Sequence, residues 1–218
     1  MQNFPDDNRQ FGKTLSIIYS NLHGTGITTL PQALKNWGFS SLTFVKEQQP
    51  FDPTFSNAHS PNPEDKKTLD LGIQTLMKEQ GDLFFATDPD ADRIGVVVRH
   101  DNQPIILNGH QIAALCIYYF CNTLKMPDNS AFVTTIVTTK LFETILKAFN
   151  RPCFEVLTGF KYIGEKIHEW EQNGKHTFIF GAEESLGYLY GTHSRDKDAT
   201  ITACLIAEIT LQQKKNNK

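Results

Sequence analysis

The chain has 218 residues, enough for one large domain or two small ones. Lys and Arg total 21 and Asp and Glu 24, and the net charge of −3 excludes a nucleic-acid grip built on a basic surface. With 39% hydrophobic and 21% charged residues the chain is not of the disordered class. No apolar run approaches the ~20 residues of a membrane-spanning helix.

Residues 1–12 are polar, lack the apolar stretch of a secretory signal, and read as a polar N-terminal segment. A first strand is predicted over 14–20, TLSIIYS, followed by a helix over 29–37 with Leu30, Ala33, Leu34 and Trp37 on one face. A strand over 42–45 leads into a loop with Pro50, Pro53, Pro61 and Pro63, too rich in proline for regular structure. A second helix is expected to start there, with Asn62 as its cap, Pro63 at its first position, and Glu64 and Asp65 at its positive end. Leu69, Ile73, Leu76 and Met77 would form its inner face, and the third strand would be 82–87, DLFFAT. Strands at 94–99 and 104–107 flank a turn at Asp101-Asn102, and a helix over 109–124 is capped by Asn108.

The order then repeats. A strand over 131–137, a helix carrying Leu141, Ile145, Leu146 and Phe149, a strand over 153–157, a helix over 161–171 and a strand over 177–180 make a second β-α-β-α-β unit. A last helix spans 200–212, and 214–218 read as a polar tail. The fold class is therefore α/β, with two consecutive α/β/α sandwich domains and mixed sheets, and domains at 13–107 and 108–213. Cys116, Cys121, Cys153 and Cys204 form no CxxC pair and are expected as reduced thiols of a cytoplasmic protein.

In such sheets ligands sit beyond the carboxyl ends of strands, so the residues after each third strand are the candidates. After LFFAT come Asp88, Pro89, Asp90, Ala91, Asp92 and Arg93. Three carboxylates at i, i+2 and i+4 would lie on one side of an extended segment, where their mutual repulsion calls for a divalent cation, and Mg²⁺ suits an all-oxygen site. Arg93 can then meet a phosphate or balance residual charge. An EF-hand would need Gly and an acidic residue where Arg93 and Arg99 stand. A haloacid-dehalogenase-type phosphatase would use Asp88 as nucleophile, but its fifth position is usually Thr or Val and here is Asp92. A solvated acidic turn is the plain alternative. After TFIFG come Glu183, Glu184 and Ser185, acceptors for sugar hydroxyls or merely a charged loop, and Arg195 and Lys197 follow as cations for phosphate. LHGTG at 22–26 offers tight glycine turns, and TGFK at 158–161 could present a helix N-terminus to an anion.

Together these segments resemble the α-D-phosphohexomutase superfamily, the phosphoglucomutases and phosphomannomutases. DPDADR (88–93) resembles its metal loop, HGTG (23–26) and PNPE (61–64) its second-domain segments, TGFKYI and GAEESLGY its third-domain loops, and HSRDKDA (193–199) its lysine-bearing phosphate stretch. The TGFK and EESLGY forms look closest to the phosphoglucomutase-2-like branch. The resemblance implies an isomerase, an intramolecular phosphotransferase that interconverts hexose 1-phosphate and hexose 6-phosphate through a phosphoserine and a bisphosphate. It implies Mg²⁺ on Asp88, Asp90 and Asp92, with hexose 1,6-bisphosphate as activator. It gives Arg93 and Lys197 catalytic roles, and gives Glu183, Ser185, Arg195, Lys161 and Gly159 substrate contacts.

The family has four domains, and the resemblance covers the second and third. No TASHNP-like serine motif and no SGTEP-like phosphate motif occurs in these residues. Ser60 precedes PNPE and is not the expected nucleophile. Tyr188 and Phe160 stand where some members carry histidine, so those acid/base roles do not transfer. The expected partners are a hexose phosphate and a chain supplying the missing first and fourth domains, with no nucleic acid and no membrane. Little or no turnover is expected from this chain alone, and a non-catalytic sugar-phosphate-binding fragment is the alternative.

Overall fold

The apolar run near residue 17 becomes a central strand because both of its faces are covered. In the computed structural model, which describes residues 2–216, β1 (Ile17–Ser20) lies parallel between β2 (Leu42–Phe44) and β3 (Leu83–Thr87). β4 (Ile94–His100) pairs antiparallel with β3, and β5 (Gln103–Leu107) with β4, giving the order β2-β1-β3-β4-β5. On one face Ile18, Phe84 and Val97 pack with Leu69 and Leu76 around helix α3 (Asp70–Lys78). Gly72 of α3 is obligatory, since a Cβ there would lie 1.8 Å from Cζ of Phe84.

The helix expected from Asn62 begins later. Asn62 and Pro63 belong to an irregular loop, and Asp65 caps a short 3-10 turn (Lys66–Leu69) by accepting the Lys67 N–H before α3 starts. The proline-rich loop holds the earlier residues in extended and turn conformations.

The second unit, residues 109–198, repeats the plan. β6 (Ser130–Thr135) lies parallel between β7 (Cys153–Val156) and β8 (Thr177–Glu183), and β9 (Gly187–Tyr190) returns antiparallel along β8, in the order β7-β6-β8-β9. Helix α6 (Phe160–Asn173) buries Phe160, Ile163, Ile167 and Trp170 against Ala131, Val133 and Leu189. Gly174, at φ +66°, ends it in a left-handed cap. On the opposite face Phe120 of α4 (Gly109–Thr123) stacks on Tyr190 with ring centroids 4.7 Å apart, and α5 (Lys140–Ala148) packs beside α4.

Both termini depart from the expected domain ranges. The polar N-terminal segment expected at 1–12 contains α1 (Pro5–Phe11), and the last helix, α7 (Ala199–Lys215), packs on α2 (Leu30–Asn36), β3 and β4. By contacts the first compact unit is residues 2–108 plus α7, although in the sequence reading α7 closes the range 108–213. The cause is the character of α7, which is apolar on nearly every side and needs burial all round. Its one fully buried carboxylate, Glu208, accepts the backbone N–H groups of Asn3 and Phe4 and the side-chain amides of Asn3 and Asn8, which anchors α1. Of the expected polar tail at 214–218, Lys214 binds Asp82 and Lys215 binds Asp7, while 217 and 218 lie outside the described residues.

All four cysteines are free, and among the described residues no helix is long and apolar enough to cross a membrane.

Candidate functional site

The first candidate loop follows β3. Its backbone is not extended as the alternating carboxylates suggested. Residues 88–91 make a turn closed by the Ala91 N–H donating to the Asp88 carbonyl, with Ala91 in the left-handed region at φ +60°. The Asp88 side chain organises this turn: one carboxylate oxygen accepts the N–H groups of Asp92 and Arg93 at 3.1 and 3.0 Å, and the other accepts Nε of Arg93 at 2.7 Å. The turn still gathers the acidic groups, and one oxygen each of Asp88, Asp90 and Asp92 fall within 4.8 Å of one another. Asp88 is buried, Asp92 half-buried and Asp90 exposed, so the cluster has a closed floor and an open mouth. Burial, with a smaller push from the Asp92 charge, raises the Asp88 carboxyl to about 6 against the Arg93 hydrogen bonds that favour its charge. A buried carboxylate in a like-charged group, with only oxygen donors around it, matches the donor chemistry of Mg²⁺.

Two distant segments buttress the turn. Thr25 of the HGTG segment donates its N–H and its hydroxyl to the Pro89 carbonyl, at 2.7 and 2.9 Å. Gly24 permits this approach, since a Cβ there would lie 2.3 Å from Cα of Pro89. Leu22 and His23 take left-handed conformations, and His23 Nδ1 donates to the Pro50 carbonyl at 2.8 Å. The HGTG segment is thus a support beneath the acidic loop. From the other side, the Ala199 N–H donates to the Ala91 carbonyl.

The second candidate loop lies in the other unit. β8 runs through Glu183 and turns at residues 184–186 into β9, a hairpin where the sequence suggested only a loop. Glu183 is buried, and its carboxylate accepts the Gly159 N–H at 2.8 Å. Burial raises its proton affinity, while that N–H and the nearby Lys197 charge oppose the rise. The N-terminal end of α6, expected to receive an outside anion at Gly159, thus receives this internal carboxylate at that N–H. Gly159 has φ +119°, a conformation open to glycine. Lys197 lies along the hairpin because Gly187 has no side chain: a Cβ there would meet Cδ of Lys197 at 2.2 Å. Its Nζ sits 5.5 Å from the Phe160 ring centre and 2.9 Å from Asp196.

The predicted residues separate into groups. Asp88, Asp90, Asp92 and Arg93 come together in the first unit. Glu183, Gly159 and Lys197 come together in the second, with Ser185 half-buried on the hairpin turn. Lys161 is exposed on the first turn of α6, over the Tyr162 ring. The guanidinium of Arg195 pairs with Glu171 near the far end of α6 and donates to the carbonyls of Thr192 and Ser194. Lys161 and Arg195 instead border an open groove of about 610 Å³ with His168, Ser194 and Asp196. Sequence reading missed Thr25, which carries no signal beyond its glycine neighbours. It also missed Thr135, whose hydroxyl bonds Thr138 and Glu184.

Residues 2–102 match the family described as phosphoglucomutase/phosphomannomutase, alpha/beta/alpha domain II, and residues 108–218 match its domain III. The chain belongs to the phosphoglucomutase/phosphomannomutase family. It is 37% identical over 205 residues to a phosphoglucomutase of Staphylococcus haemolyticus and 36% identical over 205 residues to a phosphomannomutase of Mycoplasmoides pirum. Each match covers 94% of this chain but 37% of the relative, so the chain spans well under half of their length. The fold matches the solved parafusin (phosphoglucomutase) of Paramecium in its open form, with a TM-score of 0.74 and 19% identity over 100% of this chain and 37% of that one.

Proposed function

We propose that the chain provides the metal-binding and sugar-recognising domains of a phosphohexomutase, which interconverts hexose 1-phosphate and hexose 6-phosphate through a phosphoserine and a hexose 1,6-bisphosphate. The observation that carries the proposal is the convergence of Asp88, Asp90 and Asp92 at the end of a buried strand, in a chain of this family. In this reading those carboxylates hold Mg²⁺, which supplies positive charge to a phosphoryl group in transfer. Arg93 offers its remaining N–H donors to phosphate. Glu183 and Ser185 hydrogen-bond sugar hydroxyls, with Gly159 fixing the Glu183 carboxylate. Lys197 meets phosphate from the hairpin, and Lys161 is a peripheral cation. Arg195 serves the substrate only by leaving Glu171.

In this reading the nucleophilic serine belongs to the family's first domain, which these 218 residues do not include. These 218 residues alone are therefore expected to bind Mg²⁺ and the hexose phosphate weakly, with little or no turnover. The test is a coupled assay of glucose 1-phosphate to glucose 6-phosphate with Mg²⁺ and catalytic glucose 1,6-bisphosphate. It is run on the chain alone and with a polypeptide bearing the two other domains, each with an Asp90→Ala control. Turnover that appears only in the combination and vanishes in the control supports the proposal. Turnover by the chain alone, or release of free phosphate, overturns it.

A further inference from the structure

The PNPE segment lies beside the acidic loop, and its contacts converge on one group, the Arg93 guanidinium. Nε of Arg93 donates to Asp88 at 2.7 Å, and Asp92 lies 3.7 Å away. On another edge Nη1 reaches Oδ1 of Asn62 at a long 3.4 Å. Oδ1 of Asn62 is held in place, since it also accepts the Glu64 N–H at 3.0 Å within the turn. Glu64 adds a negative field that further favours the charged guanidinium. The loop is docked through Pro63, which is buried against Gly95 of β4: a Cβ at Gly95 would meet Pro63 Cβ at 3.0 Å and its carbonyl oxygen at 3.1 Å. None of these contacts belongs to a helix cap, the role the sequence suggested for Asn62.

We infer that Asn62 is a positioning residue that keeps the Arg93 guanidinium beside the acidic loop when a divalent cation takes over Asp88. The inference rests on the metal reading of that loop. Without a cation, Asp88 and Asp92 hold Arg93 by charge. A cation on the same carboxylates repels the guanidinium and competes for the Asp88 oxygens. Asn62 is a neutral acceptor that the cation does not claim, and Glu64 is an anion outside the carboxylate cluster. Together they give Arg93 a second anchor, so it stays near the loop with its unused donors directed to a phosphate.

The test uses the full chain, with Mn²⁺ as the probe cation. Two quantities are read: Mn²⁺ affinity by electron paramagnetic resonance, and the Nε–H exchange rate of Arg93 by ¹⁵N NMR with a diamagnetic Mg²⁺ titration. In Asn62→Ala the freed guanidinium withdraws from the bound cation. Its exchange then accelerates on adding Mg²⁺, and Mn²⁺ binds roughly two- to fivefold more tightly, the scale of one weak charge interaction. Asn62→Asp keeps the acceptor oxygen and the turn, and restores the slow exchange. Weaker Mn²⁺ binding with a lowered melting temperature in Asn62→Ala, or exchange unchanged from the parent, overturns the inference. If the parent binds no cation, the metal reading fails. The cation-free exchange of the Nη1 hydrogens, which face Asn62, then decides the contact by itself: faster in Asn62→Ala supports Asn62 as a holder of Arg93, and unchanged overturns it.

Discussion

The two units place a candidate loop at the same point of the same strand order and build it differently. After β3 the chain makes a turn wrapped around a buried aspartate, and the nearby cation is the arginine of that same turn. After β8 it makes a hairpin whose buried glutamate is held by a backbone N–H, with a lysine along its edge. Like charges crowded with oxygen donors favour a metal ion, whereas a carboxylate balanced by a lysine favours hydroxyl and phosphate groups. In the proposed reading, topology sets where the chemistry sits, and the local charge balance sets which chemistry it is. The units also differ in how they close, since the first borrows its outer layer from the far end of the sequence.

That last difference gives the largest expected effect. Glu208→Ala leaves four donors of the N-terminal segment without their acceptor and is expected to destabilise the first unit by about 3 kcal/mol in urea unfolding. A loss below about 0.5 kcal/mol, the usual scale of a neutral surface change, would show that α1 is not anchored there. Next, glycines under the two loops should respond unequally. Gly24→Ala meets the Pro89 backbone at 2.3 Å and should cost about 2 kcal/mol, whereas Gly187→Ala meets the movable Lys197 side chain and should cost about 1 kcal/mol. Equal losses would erase the distinction between a rigid buttress and a yielding side chain.

Smaller effects separate the two carboxylates. Glu183→Ala strands the Gly159 N–H, about 1 kcal/mol, while Glu183→Gln keeps an acceptor oxygen and should be nearly neutral. Amide exchange at Gly159 reads the difference directly. The last prediction concerns pH. The metal-free fold raises the Asp88 carboxyl from 3.8 to about 6, so the folded state binds more protons than the unfolded state between those values. The Asp88 contribution to stability is therefore full below about pH 4 and is lost as pH rises toward 6. Adding Mg²⁺ should reverse that slope, because cation binding strengthens as Asp88 loses its proton. A pH profile that Mg²⁺ leaves unaltered counts against a metal at this loop.

Much of the fold was legible because strands of the parallel type are buried on both faces and read as short apolar runs, as in LFFAT and TFIFG. The acidic loop was legible because three aspartates after such a run have few plain explanations. The late start of α3 was not, because Asn62-Pro63 is a good helix opening and an equally good loop when Pro63 finds a partner in Gly95. Arg195 was read as a phosphate ligand from its charge and its place in the HSRDKDA stretch, and its pairing with Glu171 depends on where α6 passes.

The sequence by itself determined the α/β alternation, the doubled β-α-β-α-β unit and the place of both candidate loops, since each follows from apolar periodicity and local turn chemistry. Tertiary structure decided that α7 closes the first unit, that HGTG supports the acidic turn, and that Gly159 donates to Glu183 while Asn62 meets Arg93. Those are contacts between residues far apart in the chain, and their free energy exists only once the sheets have brought the segments within hydrogen-bond reach.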